Sequence, residues 1–337
     1  MTLDRRRALG IIGLTGTGLL AAPVLAPLHA LAAAPRPGVH SRTRPMMGTF
    51  VTLTVAHPSR AKARDAMARA FAAMDAEIAV FDRFDKGSAV SELNRSGRLD
   101  HAPRELLHVA RLSRRVYDLS QGRFDPTVLP VARLLEHGEP DPADLAEALE
   151  LVGAEHLELD MGMAGDRLRL TRSGMGLTLD GVAKGRVADA GSAALTAAGA
   201  TDHLVDAGGD IVAQGLYPGE NGPRPWRVAV RRPDPSDHAA NAATALAGAA
   251  LATSGGYETA HGTGMLTRHH ILDPNTGRSP SGVAGATVRA DTCAQADALA
   301  TACCVMTPRQ ALALVARADA HCLLLTHHGG ALASPGW

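Results

Sequence analysis

Thr178-Leu179-Asp180-Gly181-Val182-Ala183-Lys184-Gly185-Arg186 reads as a strand end that turns through glycine into a helix N-terminus. The helix runs toward Ala200 and feeds a strand at His203 to Asp206, followed by the turn residues Ala207-Gly208-Gly209-Asp210. Outward toward the N-terminus, Met47-Gly48-Thr49-Phe50-Val51-Thr52-Leu53-Thr54-Val55 alternates with period two and is rich in β-branched residues, so it reads as a strand. Residues 60 to 80 carry Ala63, Met67, Ala70, Phe71, Met74 and Ile78 at spacings of three and four, the pattern of a helix that packs one face on a sheet. Helices are also expected over Pro103 to Leu119 and residues 142 to 151, parted by the loop Gln121-Gly122-Arg123-Phe124-Asp125-Pro126-Thr127. Toward the C-terminus, Val228 to Arg231, Ala243 to Thr253, His269 to Leu272 and Gly285 to Ala290 read as strands of an antiparallel sheet. Helices then follow at Thr292 to Met306 and Pro308 to Ala316. No fixed-period repeat stands out, which argues against solenoids and propellers. The expected class is α+β, with packed sheet and helix layers.

The 337 residues suffice for a full core, as one large domain or two fused halves. Lys plus Arg and Asp plus Glu number 34 each, so the chain as a whole presents no field for a nucleic acid or an acidic membrane. Aromatic content of 3% removes the stacking platforms of single-strand binders. No nucleic-acid partner is expected. Residues 1–32 read as a targeting segment: Asp4-Arg5-Arg6-Arg7 supplies charge, Ile11 to Leu28 an apolar run, and Ala30-Leu31-Ala32 a processing site. The paired arginines favour twin-arginine export to the periplasm, leaving residues 33–337 as the mature domain; the alternative is a retained membrane anchor. Cys293, Cys303, Cys304 and Cys322 show no C-x-x-C spacing and read as buried free thiols; the alternative is one disulfide formed in an oxidising compartment.

Three segments carry candidate chemistry. Asp297 and Thr301 stand four apart on a helix, which places a carboxylate and a hydroxyl on one face. Hard oxygen donors suit Mg²⁺ or Ca²⁺ and not zinc; the alternative is an ordinary polar stripe. The Gly181 turn can bring main-chain groups close to phosphate oxygens and their metal, with Lys184 adding a point charge. In Arg268-His269-His270-Ile271-Leu272-Asp273-Pro274-Asn275-Thr276-Gly277, a strand meets a turn, and a histidine just before such a turn is placed to accept a proton from an incoming hydroxyl.

These segments, in this order, resemble the ApbE family, the FAD:protein FMN transferases. The resemblance extends over nearly the whole mature chain, at Met47-Gly48-Thr49, Ser88 to Asn94, Gly122 to Thr127, Gly181 to Gly185, Asp206 to Asp210, Ala252-Thr253-Ser254-Gly255, His270 to Gly277 and Ala296 to Thr301. It implies an ApbE-like, T-fold-like fold of packed antiparallel sheets with flanking helices, acting as a single catalytic unit. It further implies Mg²⁺ held by Asp297, Thr301 and backbone oxygens near Gly181 and Ala300, and FAD held by Met47, Phe84, Phe124, Asp125, Pro126, Thr178, Lys184 and Ile271. His270 is the implied catalytic base. The implied acceptor is a flavoprotein domain carrying a Thr or Ser flavinylation motif, exported or part of a membrane electron-transport complex. Thr178 stands where many members have Asp, Phe84 where many have Tyr, and Gly256 where Asp is frequent. Two rival functions stay open on the residues alone: an FAD pyrophosphatase that uses water as acceptor, and a non-catalytic flavin-binding accessory protein.

Overall fold

The computed structural model describes residues 38–136, 138–162, 165–230, 243–256, 270–280, 282–326 and 330–337. The targeting segment at residues 1–32, His269 and Arg231 lie outside them.

Met47 and Gly48 both adopt positive φ, 52° and 70°. That conformation makes the tight two-residue connection of a hairpin between β1 (Val39–Met46) and β2 (Thr49–Ala56). The expected strand therefore begins at Thr49 and not at Met47; period two cannot distinguish a strand from the turn that leads into it. β1 lies in the Pro-rich stretch ahead of Met47, which by composition reads as a tether. It is held by its register against β2, with hydroxyl pairs Ser41–Thr54 at 3.0 Å and Thr43–Thr52 at 2.9 Å.

The chain continues through α1 (Arg60–Phe81), α2 (Ala89–Ser96), β3 (Arg98–Asp100), α3 (Arg104–Ser120), α4 (Leu129–Leu135), α5 (Pro142–Glu150), β4 (Leu157–Gly162) and β5 (Gly165–Leu170). Next come α6 (Ala183–Ala197), β6 (Asp202–Ala207), β7 (Asp210–Gln214), β8 (Tyr217–Gly219), β9 (Gly222–Arg224) and β10 (Trp226–Ala229). The last elements are β11 (Ala243–Leu246), β12 (Ala249–Gly255), β13 (Gly285–Ala290), α7 (Cys293–Val305), α8 (Pro308–Arg317), β14 (His321–Leu325) and β15 (Ala331–Ala333).

Eight strands form one sheet in the order β1-β2-β6-β7-β12-β13-β14-β15, and every neighbouring pair is antiparallel. Alternation sends Val205, Val212, Ala250 and Ala252 into a helical layer, while Leu204, Ile211, Ala213 and Leu251 meet Trp226, Val228 and Leu246 of the β10–β11 hairpin on the other face. In the helical layer α6 packs on both α1 and α7. His203 fastens α6 to the sheet: its Nδ1 donates to the Ala200 carbonyl at 2.7 Å and its Nε2 accepts from the Ser192 hydroxyl at 2.8 Å. Burial lowers its pKa and so favours this neutral imidazole. α7 is apolar nearly all round and buried, as a helix between a sheet and other helices should be. All four cysteines are free and buried, as their apolar setting predicts.

Two expected strands change. The run from Ala243 to Thr253 is two strands, because Gly248 turns the chain with φ of 73°. His270, Ile271 and Leu272 form no strand: the Asp273 N–H donates to the Arg278 carbonyl at 2.8 Å and its carboxylate accepts from the Asn275 N–H at 3.0 Å, so the turn signal dominates its flank. Thr178 and Leu179 likewise lie outside any strand, with the Thr178 N–H donating to the Pro126 carbonyl at 2.7 Å.

Candidate active site

Three couplings join the segment entering and forming α6 to α7, in opposite directions and one helical turn apart. Gly181, just ahead of α6, faces Thr301: a Cβ on Gly181 would sit 3.1 Å from Thr301 Oγ1 and 3.2 Å from the Phe124 ring. One turn on, the Gly185 N–H donates to Asp297 Oδ2 at 3.1 Å. A Cβ there would collide with the Cys293 carbonyl and lie 2.8 Å from Ala294 N, so only glycine allows the helices this close. A further turn on, Asp189 Oδ1 and Oδ2 accept from Cys293 N and Ala294 N at 2.8 and 2.9 Å. Each four-residue step along one element is matched by four residues back along the other, and the candidate ligands Gly181, Asp297 and Thr301 all fall on this ladder. Ala300, the remaining one, is fully buried in α7.

Thr301 Oγ1 also lies 3.2 Å from Ser254 Oγ on β12, so the sheet fixes the hydroxyl from the other side. Lys184 Nζ lies 3.4 Å from Asp210 Oδ2, whose side chain has no exposure. Met47 is buried at the β1–β2 turn, and the Gly208 turn of β6–β7 packs so closely on Thr49 that a Cβ would lie 2.7 Å from Thr49 Cγ2.

The loop after α3 is wired inward. Phe124 N–H donates to Ser120 Oγ at 3.0 Å, and the Asp125 carboxylate accepts from Thr127 N, Thr127 Oγ1 and Ala154 N at 2.8, 2.6 and 3.2 Å. Burial pushes the Asp125 pKa up to about 6 despite these bonds. Its carboxyl oxygens are thus occupied within the fold, and the Phe124 ring beside it is buried. Thr178, also buried, is tied to the loop by its N–H on the Pro126 carbonyl, and its Oγ1 accepts from Asp180 N at 3.3 Å. Arg83 binds Asp180 and Glu136, each at 3.1 Å, and its guanidinium lies 4.0 Å from the centroid of the Phe84 ring, which is 45% exposed. Phe84 is thereby an exposed aromatic plate with a cation on it.

His270 is exposed at the head of the 270–280 segment, and Ile271 beside it is 4% exposed. That segment is brought to the Phe124 loop by Arg123, whose Nη1 donates to Asp273 Oδ2 at 3.0 Å. Arg83, Asp189 and Ser254 carried no assigned role in the sequence. Asp189 had one signal, its i+4 spacing from Gly185; Arg83 had none.

The donor set suits a hard cation. Asp297, 5% exposed, is a buried carboxylate, Thr301 adds a hydroxyl, and the missing Cβ of Gly181 leaves a cradle beside that hydroxyl for main-chain oxygens and an ion. Among the described residues no three His, Cys, Asp or Glu side chains form a metal-holding cluster; an ion here would meet the Asp297 carboxylate, the Thr301 hydroxyl and main-chain carbonyls.

The α+β fold of antiparallel sheets with flanking helices is that of solved ApbE flavin transferases. A family model described as the ApbE family matches residues 47–324, and the chain belongs to that family. It is 34% identical over 337 residues to the FAD:protein FMN transferase of Rhodobacter capsulatus, covering 95% of this chain and 62% of that protein. The FAD:protein FMN transferase of Klebsiella pneumoniae (strain 342) is 28% identical over 279 residues, 80% of this chain and 79% of its own. Among solved structures, the Pseudomonas stutzeri flavinyl transferase ApbE in its apo form superposes with a TM-score of 0.76 at 25% identity, covering 88% of this chain and 95% of that one. The ApbE protein of Thermotoga maritima gives 0.78 at 26% identity, with 88% and 97% covered.

Proposed function

We propose that this chain transfers the FMN half of FAD to a threonine or serine hydroxyl of an exported or membrane flavoprotein, releasing AMP, and that it does so with Mg²⁺ in the periplasm. The observation that carries the proposal is the register of the α6–α7 ladder, which sets Gly181 opposite Thr301 and beside the Phe124 ring, one turn from the contact of Gly185 with Asp297. Asp297, Thr301 and carbonyls near Gly181 and Ala300 would hold the ion, which when bound neutralises pyrophosphate charge. Phe84 offers its exposed ring for stacking, Phe124, Asp125, Pro126, Thr178 and Ile271 line the nucleotide, Met47 closes the turn beside it, and Lys184 meets phosphate oxygens with its ammonium. His270 accepts the proton of the acceptor hydroxyl at an imidazole nitrogen as that oxygen bonds to the FMN phosphorus and the bond to the AMP oxygen breaks. The twin-arginine signal in residues 1–32 supports periplasmic action. No described helix is long and apolar enough to cross a membrane.

The test mixes the purified protein, FAD, Mg²⁺ and a flavin-acceptor domain, then reads in-gel flavin fluorescence and intact mass. A covalent FMN on the acceptor that is lost with EDTA is expected. Free FMN and AMP without an adduct would establish hydrolysis, and intact bound FAD with neither product a binding protein.

A further inference from the structure

Asp189 makes no part of the donor set and sits two turns from Gly181, yet both of its oxygens are used on α7. They take the first two N–H groups of that helix, at Cys293 and Ala294. The next N–H, of Gln295, goes to the Thr292 hydroxyl at 3.3 Å, so the helix start has two separate caps. They differ in what they connect. Thr292 caps α7 from within its own chain segment, whereas Asp189 reaches across from α6. The Asp189 clamp grips Cys293, Cys293 stands four residues before Asp297, and Asp297 is bonded to Gly185, four residues before Asp189. The four positions form a closed parallelogram between two helices, with the N-terminal charge of α7 drawn onto a carboxylate. Sliding or rotating α7 by a fraction of a turn breaks Asp189's bonds and removes Asp297 from Gly185 together.

We infer that Asp189 is a positioning residue for the metal site: by fixing the start of α7 on α6 it sets where Asp297 and Thr301 stand relative to Gly181. This rests on the proposed cation site. Outer groups that orient ligands alter metal affinity by about 10- to 100-fold when removed.

The experiment is direct Mn²⁺ titration of the whole protein, followed by the loss of the free-ion electron paramagnetic resonance signal, with far-UV circular dichroism confirming folding at the working temperature. Asp189→Ala is expected to weaken Mn²⁺ binding by about 10-fold or more, with Asp189→Asn, which keeps one acceptor oxygen, falling between it and wild type. Thr292→Ala removes the other cap and should lower Tm while leaving Mn²⁺ affinity unchanged, which separates positioning from helix stability. Folded Asp189→Asn and Asp189→Ala proteins with wild-type affinity would overturn the inference, and should the alanine variant not fold, the asparagine variant decides alone. An Asp297→Ala protein that still binds Mn²⁺ as wild type would overturn the site itself, and the role of Asp189 with it.

Discussion

The backbone N–H of Gly185 donates to Asp297 Oδ2 at 3.1 Å, across 112 residues of sequence. The bond exists because α6 has no side chain where it touches the first turn of α7. Gly185→Ala should therefore act as overpacking against backbone, costing about 1–3 kcal/mol. A lowered Tm together with weakened Mn²⁺ binding is expected, and an unchanged melt would show that the helices separate without penalty.

Asp297→Asn keeps the shape and the bond from Gly185 but loses the charge. Metal-dependent flavin transfer should be lost while the circular dichroism spectrum stays native, as assayed by adduct formation across a Mg²⁺ series. Full activity would remove Asp297 from the site.

His270→Ala should spare FAD binding, because the ring is exposed and Ile271 beside it carries the burial. Single-turnover transfer is expected to fall by about 10²- to 10⁴-fold, the usual range for a lost general base. Equal rates for the two proteins would exclude the histidine from proton transfer.

Phe84→Ala removes a ring that is largely exposed, so Tm should barely move. Loss of a stacking partner costs about 0.5–1.5 kcal/mol, which predicts a KM for FAD higher by about two- to tenfold with little change in kcat. A kcat effect without a KM effect would contradict a binding role.

Asp125 gives a pH dependence. Its folded pKa of about 6 lies above the unfolded 3.8, so the native state holds the extra proton between these values. Its stabilising contribution is fully present below pH 3.8 and is lost as pH rises through about 6. Relative to Asp125→Asn, the wild type should gain stability as pH falls from 7 to 4.5, read as the difference between the two Tm values at each pH; a constant difference would refute the shift.

Helices at residues 60 to 80 and 103 to 119 were legible because their apolar spacing reports a buried face, and the one at 292 to 306 because its run is apolar nearly all round. β1 was not: as an edge strand it is stabilised by pairing with β2 and not by an apolar face, and its Pro-rich stretch reads as a tether. Residues 270–272, the described part of the strand expected at His269 to Leu272, form no strand for a related reason, since local alternation there gives way to the Asp273 turn. In the site, the four-residue spacing of Asp297 and Thr301 was visible, as was the glycine turn at Gly181. What no local pattern contains is the opposed register of the two helices, which depends on a contact between distant segments. Asp189 and Arg83 stayed hidden for that reason: each acts on a partner far along the chain.

The same ladder has a consequence for biogenesis. Between its two rails lie β6 through β13, so half of the central sheet, strands β6, β7, β12 and β13, is synthesised after α6 and before α7 emerges from the ribosome. Contacts of such long sequence separation form slowly, because the intervening chain must first be closed. A nascent chain lacking α7 carries only the α6 rail of the proposed site, so that site is assembled only after α7 has docked on a sheet half built before it.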